Sequence, residues 1–232
     1  MIKAVFFDLY GTLARFFPPR EEVQARACAS LGISVTPDGL ARGYATADDL
    51  MAQVNASQTP MRHHVGVERD QFFARYEQLV LKGAGVAVDL ETAARVWAKV
   101  QETPIRLALF DDVLAVLGQL KERRLVLGLL SNIDRDIGPL CRELGLTPYL
   151  DFALTAQEAG VTKPHPPFFR MALQRAGVQP PEAVHVGDSY LSDVQGARAI
   201  GIRPILLDRY GTLGHIADCP RIQALPQLLD FL

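Results

Sequence analysis

Four short stretches of the sequence place reactive side chains where covalent or metal-assisted chemistry is feasible. The first is Asp8-Leu9-Tyr10-Gly11-Thr12-Leu13, directly after a short apolar run. A carboxylate at the end of a buried strand sits where ligands bind open parallel sheets, and it can attack an electrophile to form a covalent intermediate. Gly11 lets the chain turn at once, and Thr12 can cap a turn or bind an oxyanion. The plainer alternative is that Asp8 only caps the turn. The second stretch runs from Gly187 and Asp188 to Asp193. Facing Asp8, its two carboxylates would concentrate negative charge that needs a cation, and hard oxygen ligands with a phosphate point to Mg²⁺. Otherwise they form a capping box for a helix beginning near Asp193. The third is Ser131-Asn132, where a hydroxyl and nearby N–H groups could hold a phosphoryl oxygen, or where Ser131 caps a helix starting near Asp134. The fourth is Lys163, before Pro164. Its ammonium would anchor both the nucleophile and a substrate oxygen, unless it is a solvated loop lysine. Taken together, the four come in one order, three of them at strand ends, which favours a shared crevice over four separate caps.

The elements that must position these residues follow from hydrophobic period. Residues 3–7, 125–130, 152–154, 183–186 and 204–207 are short apolar runs closed by turn signals, as buried strands are. Helical patterns fall between them, at residues 113–123, 136–144, 167–176 and 193–200, the last two bounded by prolines and by Gly201. Strands alternating with helices predict an α/β fold with a doubly wound parallel sheet, Rossmann-like. The stretch after the first strand differs. It holds four helical patterns (19–31, 37–51, 68–82, 90–102) and no convincing strand, and reads as an inserted all-helical cap. The expected domains are residues 1–16 with 104–232 as the catalytic core and residues 17–103 as the cap. Phe72, Phe73, Tyr76 and Trp97 recur at helical spacing and are expected in the cap's own core.

Composition narrows the function classes. Lys and Arg number 24 against 26 Asp and Glu, a net charge of −2. No strongly basic face is implied, so a nucleic-acid partner is not expected. The longest apolar run is far below the ~20 residues of a membrane span, and the apolar start is broken by Asp8, unlike a signal peptide. The three cysteines, Cys28, Cys141 and Cys219, form no CxxC pair and suggest neither a zinc site nor a disulfide framework. The expectation is a cytoplasmic protein with a small-molecule substrate and no membrane partner.

In the order Asp8…Ser131…Lys163…Asp188/Asp193, the four stretches resemble the four motifs of the haloacid dehalogenase superfamily, and the resemblance covers the whole chain. The run Thr162-Lys163-Pro164-His165-Pro166 resembles the lysine motif of members with a helical cap. The run from Gly187 to Asp193, followed by Gly196-Ala197 and Ala199-Ile200-Gly201, resembles the acidic motif of their phosphatase branch. The resemblance implies a hydrolase with an aspartyl-phosphate intermediate on Asp8. It implies Mg²⁺ held by Asp8, the backbone carbonyl of Tyr10 and Asp188, with Asp193 ordering a metal-bound water or anchoring Lys163.

Tyr10 departs from the phosphatase pattern, which usually carries a second aspartate two residues after the nucleophile to protonate the leaving group and then activate water. A phenol with a pKa near ~10 is a poor base at neutral pH, and a positioned acid–base group is typically worth about 10²–10⁴ in rate. Asp-x-Tyr-Gly-Thr is instead similar to the metal-free 2-haloacid dehalogenases, whose halide leaving group needs no proton. Their substrate carboxylate is held by a cap arginine, for which Arg15, Arg20 and Arg26 are candidates. The acidic motif fits that branch poorly: without a metal, Lys163 alone would face three carboxylates. Charge balance therefore ranks a Mg²⁺-dependent phosphatase first. A 2-haloacid dehalogenase and a catalytically weakened binding protein are the alternatives.

Overall fold

The computed structural model describes residues 1–232. Along the chain, β1 (Ala4–Phe7) and β2 (Ala14–Phe17) precede four helices, α1 (Arg20–Ser30), α2 (Pro37–Asn55), α3 (Gly66–Gly83) and α4 (Leu90–Gln101). Then come β3 (Arg106–Leu109), α5 (Val113–Glu122), β4 (Val126–Ser131), α6 (Gly138–Glu143), β5 (Phe152–Thr155), α7 (Ala156–Ala159) and α8 (Pro166–Ala176). The chain closes with β6 (Ala183–Gly187), a π-helix (Tyr190–Gln195) running into α9 (Gly196–Arg198), β7 (Arg203–Leu207), β8 (Arg221–Ile222) and a final 3₁₀ segment (Leu225–Phe231).

The chain divides into two compact units, Met1–Arg15 with Ala108–Leu232, and Phe16–Leu107. The first is built on a six-stranded sheet of order β5-β4-β1-β6-β7-β8, every neighbouring pair parallel. All four residues of β1 and all five of β6 are buried, the signature of central strands covered on both faces. Helices flank the sheet, and one layer of core joins Phe6, Leu130 and Leu154 to Phe168, Phe169 and Ala172 of α8. This is the Rossmann-like α/β arrangement that the strand–helix alternation predicts.

The second unit is helical. Thr36 caps α2 by accepting from the Gly39 amide at 3.2 Å, with Pro37 in the first turn. Asp89 caps α4 in the same way through the Thr92 amide. One core gathers Leu40, Tyr44, Phe72, Tyr76 and Val80; a second gathers Val23, Cys28, Leu81, Val96 and Val100. Phe73 stacks on Trp97 with ring centroids 4.5 Å apart, so the aromatic spacing serves this unit's packing as expected. No helix is long and apolar enough to cross a membrane.

Three strands were not visible in the sequence pattern. β2 and β3 pair with each other in a separate two-stranded sheet, and β8 is two residues long; each carries an arginine and is only partly buried, so none reads as an apolar run. The helix expected from residue 136 begins at Gly138, because Asp136 Oδ1 accepts the Gly138 amide at 2.8 Å and holds the preceding turn open. The helix expected over residues 193–200 is split into the π-helix and α9.

Candidate active site

The reactive residues gather at the carboxyl edge of the parallel sheet. Asp8 directly follows β1, and its amide donates to the Val186 carbonyl of β6 at 2.9 Å. Ladder register therefore fixes where the carboxylate starts. Ser131 ends β4 and Gly187 ends β6, and these strands flank β1 on either side. Strand order reverses here, which opens a crevice at the strand ends.

Lys163, between α7 and α8, is only 2% exposed. Its Nζ donates to Asp8 Oδ1 and Asp193 Oδ1, both at 2.6 Å. It is no solvated loop residue. Asn132 fixes its main chain: Asn132 Oδ1 accepts the Lys163 amide at 2.7 Å and Nδ2 donates to the Lys163 carbonyl at 3.0 Å. The side-chain amide of Asn132 is thus committed to Lys163. Ser131 is buried, and its Oγ accepts from the Ile133 amide at 3.4 Å. No helix starts near Asp134, so Ser131 is not a helix cap.

Asp193 is saturated with donors. Its Oδ1 pairs with Lys163 and with His185 Nε2 at 2.9 Å, and its Oδ2 accepts the Ser189 amide at 3.1 Å. Of the two roles expected for Asp193, these bonds support the anchoring one. Ser189 Oγ in turn accepts the Ser192 amide at 3.2 Å, so Ser189 caps this turn, in place of the capping box that is the alternative reading of the two carboxylates. Asp188 lies against the nucleophile loop: a Cβ on Gly11 would fall 2.0 Å from Asp188 Oδ2. Gly11 also has φ +74°, so both the turn and the carboxylate exclude a larger residue. Thr12 is fully buried, and its Oγ1 has no partner within the protein.

The electrostatics follow from this packing. Burial pushes the Asp8 carboxyl up to about 6; Lys163 pulls it down and the Asp193 charge adds to the rise. Burial alone would depress Lys163, but Asp193 and Asp8 hold its ammonium well above the ordinary lysine range. For Asp193 burial is likewise outweighed, by Lys163 and His185, and its carboxyl stays far below the usual range. Burial lowers His185 despite Asp193, so the ring is neutral. Tyr10 is half-buried; burial and the Asp8 carboxylate raise its phenol, while Arg135 opposes the shift. The phenol stays protonated at neutral pH and is no base.

Carboxylate oxygens of Asp8, Asp188 and Asp193 all lie within 4.8 Å of one another. Lys163 is bonded to two of them, Asp8 and Asp193. All-oxygen donors at this spacing fit a hard divalent ion such as Mg²⁺.

Sequence reasoning did not single out His185, nor Arg209, whose guanidinium donates to the Thr12 carbonyl from Nε at 3.1 Å and Nη2 at 2.9 Å. His185 left one signal, a polar ring in an otherwise apolar strand. Arg209 left none, since its partner lies far away in sequence.

Comparison with known proteins places these contacts in context. A family model described as haloacid dehalogenase-like hydrolase matches residues 2–201. Haloacid dehalogenase-like hydrolase domain-containing protein 3 of Homo sapiens is 30% identical over 236 residues, covering 100% of this chain and 92% of the relative. Ribulose-1,5-bisphosphate 5-phosphatase of Halopiger xanaduensis is 29% identical over 212 residues, 90% of this chain and 85% of that protein. A solved 2-haloacid dehalogenase from Pseudomonas syringae aligns with a TM-score of 0.56 and 26% identity, over 99% of this chain and 97% of that one.

Proposed function

The chain belongs to the haloacid dehalogenase-like hydrolase family, and on that premise we propose that it is a Mg²⁺-dependent phosphatase of a small phosphorylated metabolite. The observation that carries the reading is the convergence of carboxylate oxygens of Asp8, Asp188 and Asp193 within 4.8 Å, two of these groups sharing the Lys163 ammonium. Three carboxylates this close outnumber the one ammonium bonded to two of them, and a divalent ion would offset the difference. The name of the Halopiger relative, a phosphatase, points the same way.

In this reading Asp8 attacks phosphorus in line and becomes an aspartyl phosphate. Lys163, held by Asp193 and by the Asn132 side chain, meets the transferring oxygens, together with Ser131 and Thr12. The metal would be held by Asp8, Asp188 and the Tyr10 carbonyl, and supplies positive charge against the phosphoryl oxygens. Tyr10 offers no acid to protonate the leaving group, so aryl or acyl phosphates form the aspartyl phosphate fastest; it also offers no base to activate water, so hydrolysis of that intermediate is slow for every substrate.

Dehalogenation is the second reading, favoured by Tyr10 and by the Pseudomonas syringae structure. It needs an arginine to hold the substrate carboxylate. The three candidates each have an acidic partner instead: Arg15 with Asp111, Arg20 with Asp48, Arg26 with Glu22. One pair of assays separates the readings. Phosphate release from p-nitrophenyl or acetyl phosphate is expected with Mg²⁺ and is lost with EDTA. Halide release from 2-chloropropionate that ignores EDTA would overturn the proposal. Mg²⁺ binding with no turnover of either substrate would favour a binding protein.

A further inference from the structure

The nucleophile loop closes on itself through three backbone bonds. Leu9 O accepts the Leu13 amide at 2.9 Å and the Ala14 amide at 2.8 Å, and Gly11 N donates to Ala14 O at 2.8 Å. Two successive carbonyls are then held from outside the loop: Leu13 O accepts the Phe110 amide at 3.1 Å, and Thr12 O accepts two donors of Arg209. Arg209 follows β7 and is itself fixed on three sides. Nη1 and Nη2 reach the two oxygens of Asp112, both at 3.0 Å, and the guanidinium lies over the Phe110 ring at 3.9 Å from its centroid. Its side chain is 9% exposed.

Asp112 stands at the position that usually caps a helix, before α5, yet makes no side-chain cap. Its carboxylate goes to Arg209 and to the Leu225 amide at 2.9 Å. An acid diverted from its local task to orient a guanidinium, and a guanidinium that spends two donors on one carbonyl, form a rigid planar brace. The carbonyl it grips lies in the turn that carries Asp8 and Gly11.

We infer that Arg209 is a positioning residue for the nucleophile loop: by fixing the Thr12 carbonyl it sets the angle from which Asp8 meets the electrophile. This rests on the hydrolase reading for its kinetic consequence, and on the contacts alone for its mechanical one. Sub-ångström placement governs the rate of an in-line attack more than it governs ground-state binding.

Two variants test it. Arg209→Gln removes the charge and the fork, whereas Arg209→Lys keeps a cation beside Asp112 but loses the planar double contact. Both are expected to lower kcat/KM for p-nitrophenyl phosphate, which reports the attack by Asp8, on the order of 10²-fold; the lysine gives no rescue. Hydrogen exchange is expected to accelerate in a peptide spanning residues 9–14 and stay unchanged in β4 and β6. A purely structural role would instead speed exchange across the sheet and leave kcat/KM per folded molecule intact. Unchanged exchange in residues 9–14, or unchanged kcat/KM beside accelerated exchange, overturns the inference. If the wild-type protein itself shows no turnover, the hydrolase reading fails, and local exchange still decides whether Arg209 braces the loop.

Discussion

Asp8 is pulled in two directions. Lys163 favours its ionised form, burial and Asp193 oppose it, and the balance lies at about 6. Above that pH, and without a divalent ion, the ionised carboxylate works against folding. Asp8→Asn keeps an acceptor for Lys163 and removes the charge. Turnover is expected to vanish while the melting temperature at pH 8 in EDTA stays equal to or above wild type; a variant that keeps turning over would refute the nucleophile assignment, and one that melts lower would refute the cost assigned to the buried charge. Tyr10 makes the opposite test, a gain. Its phenol is protonated at neutral pH, so Tyr10→Asp supplies the missing acid–base group and is expected to raise phosphatase kcat by at least about tenfold, within the usual range for such groups. Unchanged steady-state kcat would remove Tyr10 as the limiting residue. Asp8, Lys163, Asp188 and Asp193 were legible because each is a charged residue beside a strand end or a proline, in a fixed order. Asn132 was legible as a position but not as a task. Its two bonds to the Lys163 main chain depend on where a distant loop lands.

At the scale of elements, the turns that carry chemistry and the helix contacts that carry packing use glycine for different reasons. Gly11 bends the nucleophile loop and clears Asp188. Gly43 of α2 and Gly83 of α3 instead let two helices touch at the backbone: a Cβ on Gly43 would lie 2.0 Å from the Val80 carbonyl oxygen, and one on Gly83 would lie 2.3 Å from the Gly43 Cα. In an isolated helix, glycine to alanine gains about 1 kcal/mol. Here Gly43→Ala is expected to destabilise by about 1–3 kcal/mol, the cost of overpacking, measured as a fall in denaturation midpoint. A rise would mean that the helices separate freely. Helices with a clear 3.6 period and a cap or proline at the start were readable: the pattern placed at 37–51 is α2, and the one at 90–102 is α4. The strands β2 and β3 were not, because each carries an arginine and is only partly buried, unlike the fully apolar β1, and they pair only with each other. The parallel sheet was readable as a class from fully apolar runs, yet its strand order was not, since order is a property of crossovers and not of any single run.

For the molecule as a whole, two units with separate cores mean that pH can act on each through its own buried acid. In the helical unit that acid is Glu77, which is 1% exposed. Gln24 Nε2 donates to Glu77 Oε1, and the Tyr44 hydroxyl donates to Gln24 Oε1 at 3.0 Å. Glu77 Oε2 is buried with no hydrogen-bond partner. Burial raises the carboxyl from 4.5 to about 7, and the Gln24 amide offsets only part of that. The folded state therefore holds this proton more tightly than the unfolded chain. Its contribution is complete below pH 4.5, declines as pH rises through about 7, and is absent above. A difference of this size corresponds to an order of about 3 kcal/mol across the window. Glu77→Gln keeps the acceptor for Gln24 and never ionises. Its melting temperature is expected to match wild type near pH 5 and to exceed it by several degrees at pH 8, given about 2–4 °C per kcal/mol for a chain of this size. Where two transitions are resolved, only the one belonging to the helical unit moves. An equal gap at both pH values would show that Glu77 is ionised throughout, and that the charge is compensated by a group other than Gln24.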